Sequence, residues 1–316
     1  MLNKIKRNIF ISLAAAGLLY LLFSLYADFD KVLKAFLLFN WFLLPVLLLL
    51  SFLNYVARFL KWDFYLRLLK IQIKKIDSFS VFMSGLIMSV TPGKMGELLK
   101  AYLVKQISGE PISKIAPIIF AERITDFLSL ILIGLIGGYV YNFGRAIILA
   151  VGIFFVFLTI ALTNKNLGKA IINFFSKIKI VKKYAEHVKA AYESSYQMLQ
   201  IKPLVQMFFL SLVAWFLECL GYYLILSNFR VEVSLLWASF SYAFAIIVGA
   251  ISMLPGGLGV TEGSLTVLLQ QKHYSLEIAF ASTFIIRIVT LWFAVLVGVV
   301  SVLLYQKRFG KITIEQ

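Results

Sequence analysis

The chain has 316 residues, of which 61% are hydrophobic, with a mean hydropathy of +0.91 and a formal net charge of +16. Apolar residues in such proportion, gathered into long runs instead of alternating patterns, exclude a soluble globular domain. The positive charge is no nucleic-acid footprint, because the basic residues lie between hydrophobic runs, where the anionic cytoplasmic leaflet is their natural partner.

A basic start (Lys4, Lys6, Arg7) precedes an apolar stretch over residues 8–27. That stretch is too long for a signal peptide and no small-x-small cleavage site follows it, so an uncleaved anchor is expected. A helix of about 20 apolar residues crosses the hydrocarbon core, and further full spans are predicted over 40–60, 115–141, 145–163, 203–226 and 277–306. Two other apolar regions, 79–107 and 235–271, are broken. The first carries Thr91-Pro92-Gly93-Lys94-Met95-Gly96-Glu97 and is followed by Arg123. The second carries Leu254-Pro255-Gly256-Gly257-Leu258-Gly259-Val260 and is followed by Arg287. The proline-to-arginine spacing is 31 residues in one (123 − 92) and 32 in the other (287 − 255). Each side of each break is short for a crossing, so both are expected to be helical hairpins that enter and leave on the same side. Irregular backbone at that depth is tolerated where protein or a water-filled cavity surrounds it.

With the N-terminus inside, 24 lysines and arginines fall in cytoplasmic segments and five (Lys31, Lys34, Arg145, Arg230, Lys272) in outer ones. The positive-inside rule then puts both termini in the cytoplasm. The expected fold is an all-α polytopic membrane protein: a single domain over 1–316, with about six full spans and two re-entrant hairpins. The segments 40–141 and 203–306 form an inverted-topology repeat, and such repeats place a site near the bilayer midplane. A rival count, with both broken regions as pairs of crossings, fits the charge distribution equally well. Between the repeats, residues 164–202 form a basic linker in which Leu167, Ile171, Phe174, Phe175, Ile178 and Val181 recur at helical spacing. It reads equally as an interfacial helix on anionic lipid or a solvated connection.

Ionisable residues inside spans mark a bundle interior or a pathway. Arg123 is flanked by Glu122 and Asp126, and Asp126 shares its helix face. That trio reads either as a site or as a self-neutralised group at the interface. Arg287 has no acid within a turn, so it needs a distant carboxylate or an anionic substrate group. Glu262, Glu97, Asp126 and Glu218 are the acids on offer; with Glu122 they are the ion-pair or proton-coupling candidates, and Glu218 reads equally as a proton-coupling group or the partner of Arg287. Pro92 suits the first turn of a helix capped by Thr91. Gly93 and Gly96, like Pro255, Gly256, Gly257 and Gly259, permit close backbone approach, which makes each break a candidate anion site. Lys94 and Lys100 could guide a headgroup inward, although Lys100 reads better as ordinary inner charge. His187 and His273 are isolated. Cys219 is the one cysteine, so no disulfide framework or cysteine metal site forms within one chain. No metal or cofactor is expected.

The segments TPGKMGELLKAYLV, AERITDFLSL and LPGGLGVTEGSLTVLL resemble recurring blocks of the lysylphosphatidylglycerol synthase/flippase-type transmembrane domain family. The resemblance covers roughly residues 8–306. In that family the domain stands alone or is fused to a soluble aminoacyltransferase, and its membrane part is associated with moving lipid between leaflets. No such soluble domain follows here, so lipid aminoacylation is not expected. The resemblance implies a functional core of Pro92, Gly93, Gly96, Glu97, Glu122, Arg123, Asp126, Pro255, Gly256, Gly257, Gly259, Glu262 and Arg287. The expected protein is not an enzyme but a flippase of the cytoplasmic membrane for an anionic phospholipid or polyprenyl-phosphate-type lipid. Its partners would be those lipids, a second copy of the chain or a separate lipid-modifying enzyme, and no nucleic acid. A small-solute transporter or exchanger is the first alternative. A membrane-embedded lipid-modifying enzyme, which lacks a recognisable catalytic constellation, is the second.

Overall fold

The computed structural model describes residues 29–91, 96–164 and 185–310, which are helical with no strand among them. The apolar stretch 8–27 and the amphipathic positions Leu167 to Val181 of the linker lie outside the described residues. Helix α1 (Phe29–Leu38) occupies a segment read from sequence as a connection. It buries Val32 and Ala35, leaves Leu33, Leu37 and Leu38 exposed, and packs on the helical segment Leu276–Arg287.

The next helices are α2 (Leu44–Leu68), α3 (Lys75–Gly85), α4 (Leu98–Ser108), α5 (Ile112–Tyr141) and α6 (Arg145–Thr163). After the linker come α7 (Ala185–Met198), α8 (Ile201–Asn228), α9 (Leu235–Ile251), α10 (Val260–Gln270) and α11 (Leu276–Phe309). A 3-10 turn, Trp41–Leu43, leads into α2, and another, Leu86–Val90, extends α3. A third, Pro255–Gly257, follows α9, and α11 contains one π turn, Ile288–Trp292. Four helices among the described residues are long and apolar enough to cross a membrane: α2 with its leading turn, α6, α8 and α11.

The same succession occurs twice. A long helix, a short one, a break, a short one and a long one run from α2 to α5 and again from α8 to α11. The likeness extends to single hydrogen bonds. After α2, Lys70 turns left-handed (φ 57°), and the Ile71 N–H reaches the Leu66 carbonyl at 2.9 Å. After α8, Arg230 does the same (φ 54°), and the Val231 N–H reaches Leu226 at 2.9 Å. A left-handed non-glycine residue is uncommon, so two at matching places reflect one local solution used twice.

Packing is reciprocal. Helix α2 lies along α8, α3 packs on α11, and α9 packs on α5, so each half supplies a short helix to the other half's last long helix. Asn54 of α2 donates to the Ala214 carbonyl of α8 at 2.7 Å, fully buried between them. Close approach is set by glycine. A side chain at Gly298 of α11 would strike the backbone of Ile87, and one at Gly137 of α5 would strike Phe240 of α9.

Two boundaries differ from the sequence reading. The span read as 40–60 continues to Leu68 because Arg58 and Lys61, the charges that ended it, are paired inside the protein and cost no exposure to lipid. Of the linker, residues 185–198 form α7, which folds against α5 and buries Ser194 and Met198.

Candidate functional site

A cavity of about 600 Å³ lies among α2, α5, α6, α8, α9 and α11, beside both breaks. Its floor is charged and aromatic: Arg58, Arg123, Asp126, Glu218 and Arg287, with Tyr55, Trp215 and Tyr242. Its rim is apolar and reaches the outer surface, where Phe154 of α6 is 58% exposed and Met253, after α9, is 62% exposed. The two breaks meet here: the turns Leu86–Val90 and Pro255–Gly257 touch, and Ser89, Thr91, Gly256 and Gly257 all line the wall.

The first charged assembly joins α2, α4, α5 and α8. Asp126 accepts from Arg58 at 2.7 Å, Lys61 at 2.5 Å and the Ser211 hydroxyl at 3.0 Å. Lys61, 1% exposed, also donates to the Glu122 carbonyl, Thr125 and Ser211. Such saturation is what makes a lysine tolerable in an apolar interior, where an unpaired charge is very costly. Lys100, 4% exposed, pairs with Glu122 at 2.7 Å and Glu97 at 3.5 Å, and its ammonium lies over the Trp62 ring at 4.7 Å. Its stem passes Gly85, where a Cβ would stand 2.5 Å from the Lys100 Cγ. Arg123 pairs with Glu97 and lies 3.8 Å from Asp126. A small recess of about 30 Å³ between Arg58, Glu97, Lys100, Glu122 and Arg123 adjoins this assembly. Among its buried donors, the Arg123 Nε has no hydrogen-bond partner.

At the second break, Arg287 Nε pairs with Glu262 at 2.7 Å and its Nη2 donates to the Gly256 carbonyl at 2.5 Å. The other Glu262 oxygen accepts the Gly259 N–H at 2.7 Å, closing the first turn of α10. Gly256, Gly257 and Gly259 hold φ of 59°, 67° and 84°, a backbone that glycine adopts without strain. The two halves thus share a device. In each, an acid at the start of the helix after the break pairs with an arginine of the following long helix: Glu97 with Arg123, and Glu262 with Arg287. Nearby, Glu218 accepts from the Tyr242 hydroxyl at 2.7 Å, and Tyr55 donates to the Thr290 carbonyl within the π turn at 2.7 Å.

Several expectations are refined by this geometry. Pro92, Gly93 and Lys94 lie outside the described residues. Helix α4 begins only at Leu98, and Thr91 does not cap it. Its hydroxyl instead receives the Gly96 N–H at 3.0 Å and donates to the Met88 carbonyl. Gly96 sits tightly against Met88 and Thr91. Pro255 opens the second turn. The trio at Arg123 is not self-contained, since Glu122 turns to Lys100 and Asp126 mainly to Arg58 and Lys61. The carboxylate that pairs with Arg287 is Glu262, while Glu218 bonds to Tyr242. Lys100 is a buried member of the network, not ordinary surface charge. Arg58 and Lys61 were missed altogether. Their signal was the spacing Asn54, Arg58, Lys61, Tyr65, a polar stripe at helical period that continues the span. Removing these two and Lys100 from the inner set leaves 21 of 24 charges to set orientation. Among the described residues, no three His, Cys, Asp or Glu side chains converge as a metal site.

Long apolar helices around a buried network of ion pairs define a multi-pass α-helical membrane protein. The chain belongs to the family described as the lysylphosphatidylglycerol synthase TM region, whose model matches residues 9–298. It is similar to UPF0104 membrane proteins of archaea. It is 27% identical to MJ1078 of Methanocaldococcus jannaschii over 228 residues, covering 71% of this chain and 95% of that protein. It is 25% identical to one from Methanothermobacter thermautotrophicus, covering 77% and 79%. MJ1595 of M. jannaschii is 22% identical, covering 90% and 91%.

Proposed function

We propose that this protein moves an anionic phospholipid or polyprenyl-phosphate-type lipid between the leaflets of the cytoplasmic membrane. One observation carries the reading: a single cavity joins a charged floor to an apolar rim of exposed side chains. A headgroup can sit on such a floor while its chains remain in the bilayer, whereas a small-solute carrier needs walls closed to lipid. The phosphate would face Arg58 and Arg123, with Arg287 at the second break. Arginine suits this role because its planar fork matches phosphate oxygens and stays charged.

The repeated succession α2–α5 and α8–α11 supports an inverted-repeat carrier in which the breaks are tips of re-entrant hairpins. Helices α3, α4 and α10 have 11 residues each, about 17 Å at 1.5 Å per residue. That falls short of a hydrocarbon core of about 30 Å. The two arms of each hairpin pack on each other and the tips touch, as expected of hairpins entering from opposite sides. The residual charge asymmetry favours both termini in the cytoplasm.

The test is movement of acyl-labelled anionic lipids between leaflets of reconstituted vesicles. Wild-type protein should accelerate it over empty vesicles, and Arg58→Gln should slow it at least tenfold while a change at exposed Lys105 does not. Movement no faster than in empty vesicles across several anionic lipids would overturn the reading.

A further inference from the structure

Helix α6 stands at the edge of the bundle. Its 19 residues carry no charge after Arg145, and they pack chiefly along α5 and against α7. The seam on α5 is a stripe at helical period: Ile148 fits over Gly134 and Gly138, Gly152 over Ile131, and Phe155 stacks on Phe127 at 4.3 Å. Both ends of α6 are tied down. At one, Phe143 meets Phe244 of α9 edge-on at 5.4 Å, and a Cβ at Gly144 would stand 2.4 Å from that ring. At the other, Tyr192 of α7 donates to the Asn164 carbonyl at 3.2 Å.

Between these ties α6 turns a second face to the cavity. Ala150, Val151 and Phe154 line it on this side, and Ile246, Ala250 and Met253, from α9 and the turn after it, line it on the other. Ala150, Phe154 and Met253 are exposed. Apolar exposure is ordinary on the lipid side of a membrane helix and by itself marks nothing. Here it borders a charged floor, because the same cavity holds Arg58, Arg123 and Asp126. Helices packed face to face interlock with axes about 8–10 Å apart, and α6 locked onto α9 along its length would close that floor to the bilayer.

We propose that the gap between α6 and the end of α9 is a lateral portal, occupied by the hydrocarbon chain of the lipid whose phosphate rests on the floor. Two features commit it to that occupant. Its wall is apolar from Ala150 across to Met253, so a chain lies there without meeting a charge. The arginines of the floor offer planar donors to a phosphate, so one molecule satisfies both chemistries that the cavity joins. An apolar helix, whether the stretch 8–27 or one from a second copy, would match the wall and bring no anion to the floor. The inference rests on the lipid-transport reading and adds the route by which the lipid reaches its site.

Photo-crosslinking tests the occupant. Benzoylphenylalanine replaces Ala150 or, as a control, Leu149, which has the same depth, is exposed, and lies outside the cavity wall about 100° round the helix. Vesicles hold a minor fraction of dioleoyl phosphatidylglycerol in dioleoyl phosphatidylcholine, so the chains are identical and only the headgroup distinguishes the lipids. Adducts at Ala150 should be at least about threefold richer in phosphatidylglycerol than those at Leu149, and Arg58→Gln should abolish the difference. Equal composition at the two positions, or adducts to residues 8–27 or to a second copy, overturns the proposal. In the transport assay, Ala150→Trp should slow movement at least about tenfold by filling the gap, and Leu149→Trp should stay within about twofold of wild type. Ala150→Trp at the wild-type rate overturns the portal while lipid movement itself stands. Wild-type protein that moves no lipid overturns the transport reading, and the composition of the adducts still upholds or overturns a lipid in the gap.

Discussion

The Arg287–Glu262 pair offers a severe test of how the second break is held. Both side chains are 4% exposed and their contact is 2.7 Å; Arg287 also donates to the Gly256 carbonyl and Glu262 also accepts from the Gly259 N–H. Arg287→Met fills similar volume but leaves the buried Glu262 carboxylate without its guanidinium. Removing one member of a buried pair costs about 3–5 kcal/mol, mostly because the survivor stays charged in a poorly solvating interior. Glu262→Gln leaves the guanidinium uncompensated and should cost a comparable amount. The double variant removes both charges of this pair and loses only hydrogen bonds worth about 1 kcal/mol each. It should therefore be more stable than either single variant, with a coupling energy of at least about 2 kcal/mol. Equilibrium unfolding of the four proteins in mixed micelles with increasing dodecyl sulfate measures this cycle. Single costs that add to within about 0.5 kcal/mol would refute the pairing, because additivity is the signature of sites that do not interact.

Lys100→Met should destabilise by about 3–5 kcal/mol through the orphaned Glu122, whereas Lys105→Met, on the exposed face of the same helix, should fall within about 0.5 kcal/mol. The same micelle titration distinguishes them. Gly298→Ala should cost about 1–3 kcal/mol by driving α11 off the backbone of Ile87, and Gly263→Ala, which meets open space, should not; thermal aggregation of the purified proteins reports the difference. Asn54→Leu removes the bond from α2 to the Ala214 carbonyl and should cost about 1 kcal/mol, the usual size of an interhelical hydrogen bond in a membrane protein.

Much of the frame was legible in the sequence because hydrophobicity and punctuation are local signals. Apolar runs marked α5, α6, α8 and α11 nearly to their ends, and the duplicated Pro-Gly breaks located both interruptions. The exception is instructive. In one dimension a charge marks the end of a span, so Arg58 and Lys61 read as cytoplasmic, whereas the first long helix runs on to Leu68. Lys100 suffered the same reading. A charge at a membrane surface and a charge neutralised at depth look identical in one dimension. Only their partners distinguish them, and the carboxylates at hydrogen-bonding distance, Glu122 and Asp126, lie 22 to 68 residues away.

By itself, then, the sequence determined that this chain is a helical membrane protein with two broken apolar regions, each tied by spacing to an arginine. Composition and period suffice for that, since every backbone polar group in lipid must be satisfied within its own helix. Tertiary structure decided the rest: which acid neutralises which base, that each arginine clamps the helix after its break, and that both breaks face one cavity. These outcomes depend on long-range pairing, where the cost of a buried charge leaves few arrangements in which the buried acids and bases meet. No local pattern encodes that condition.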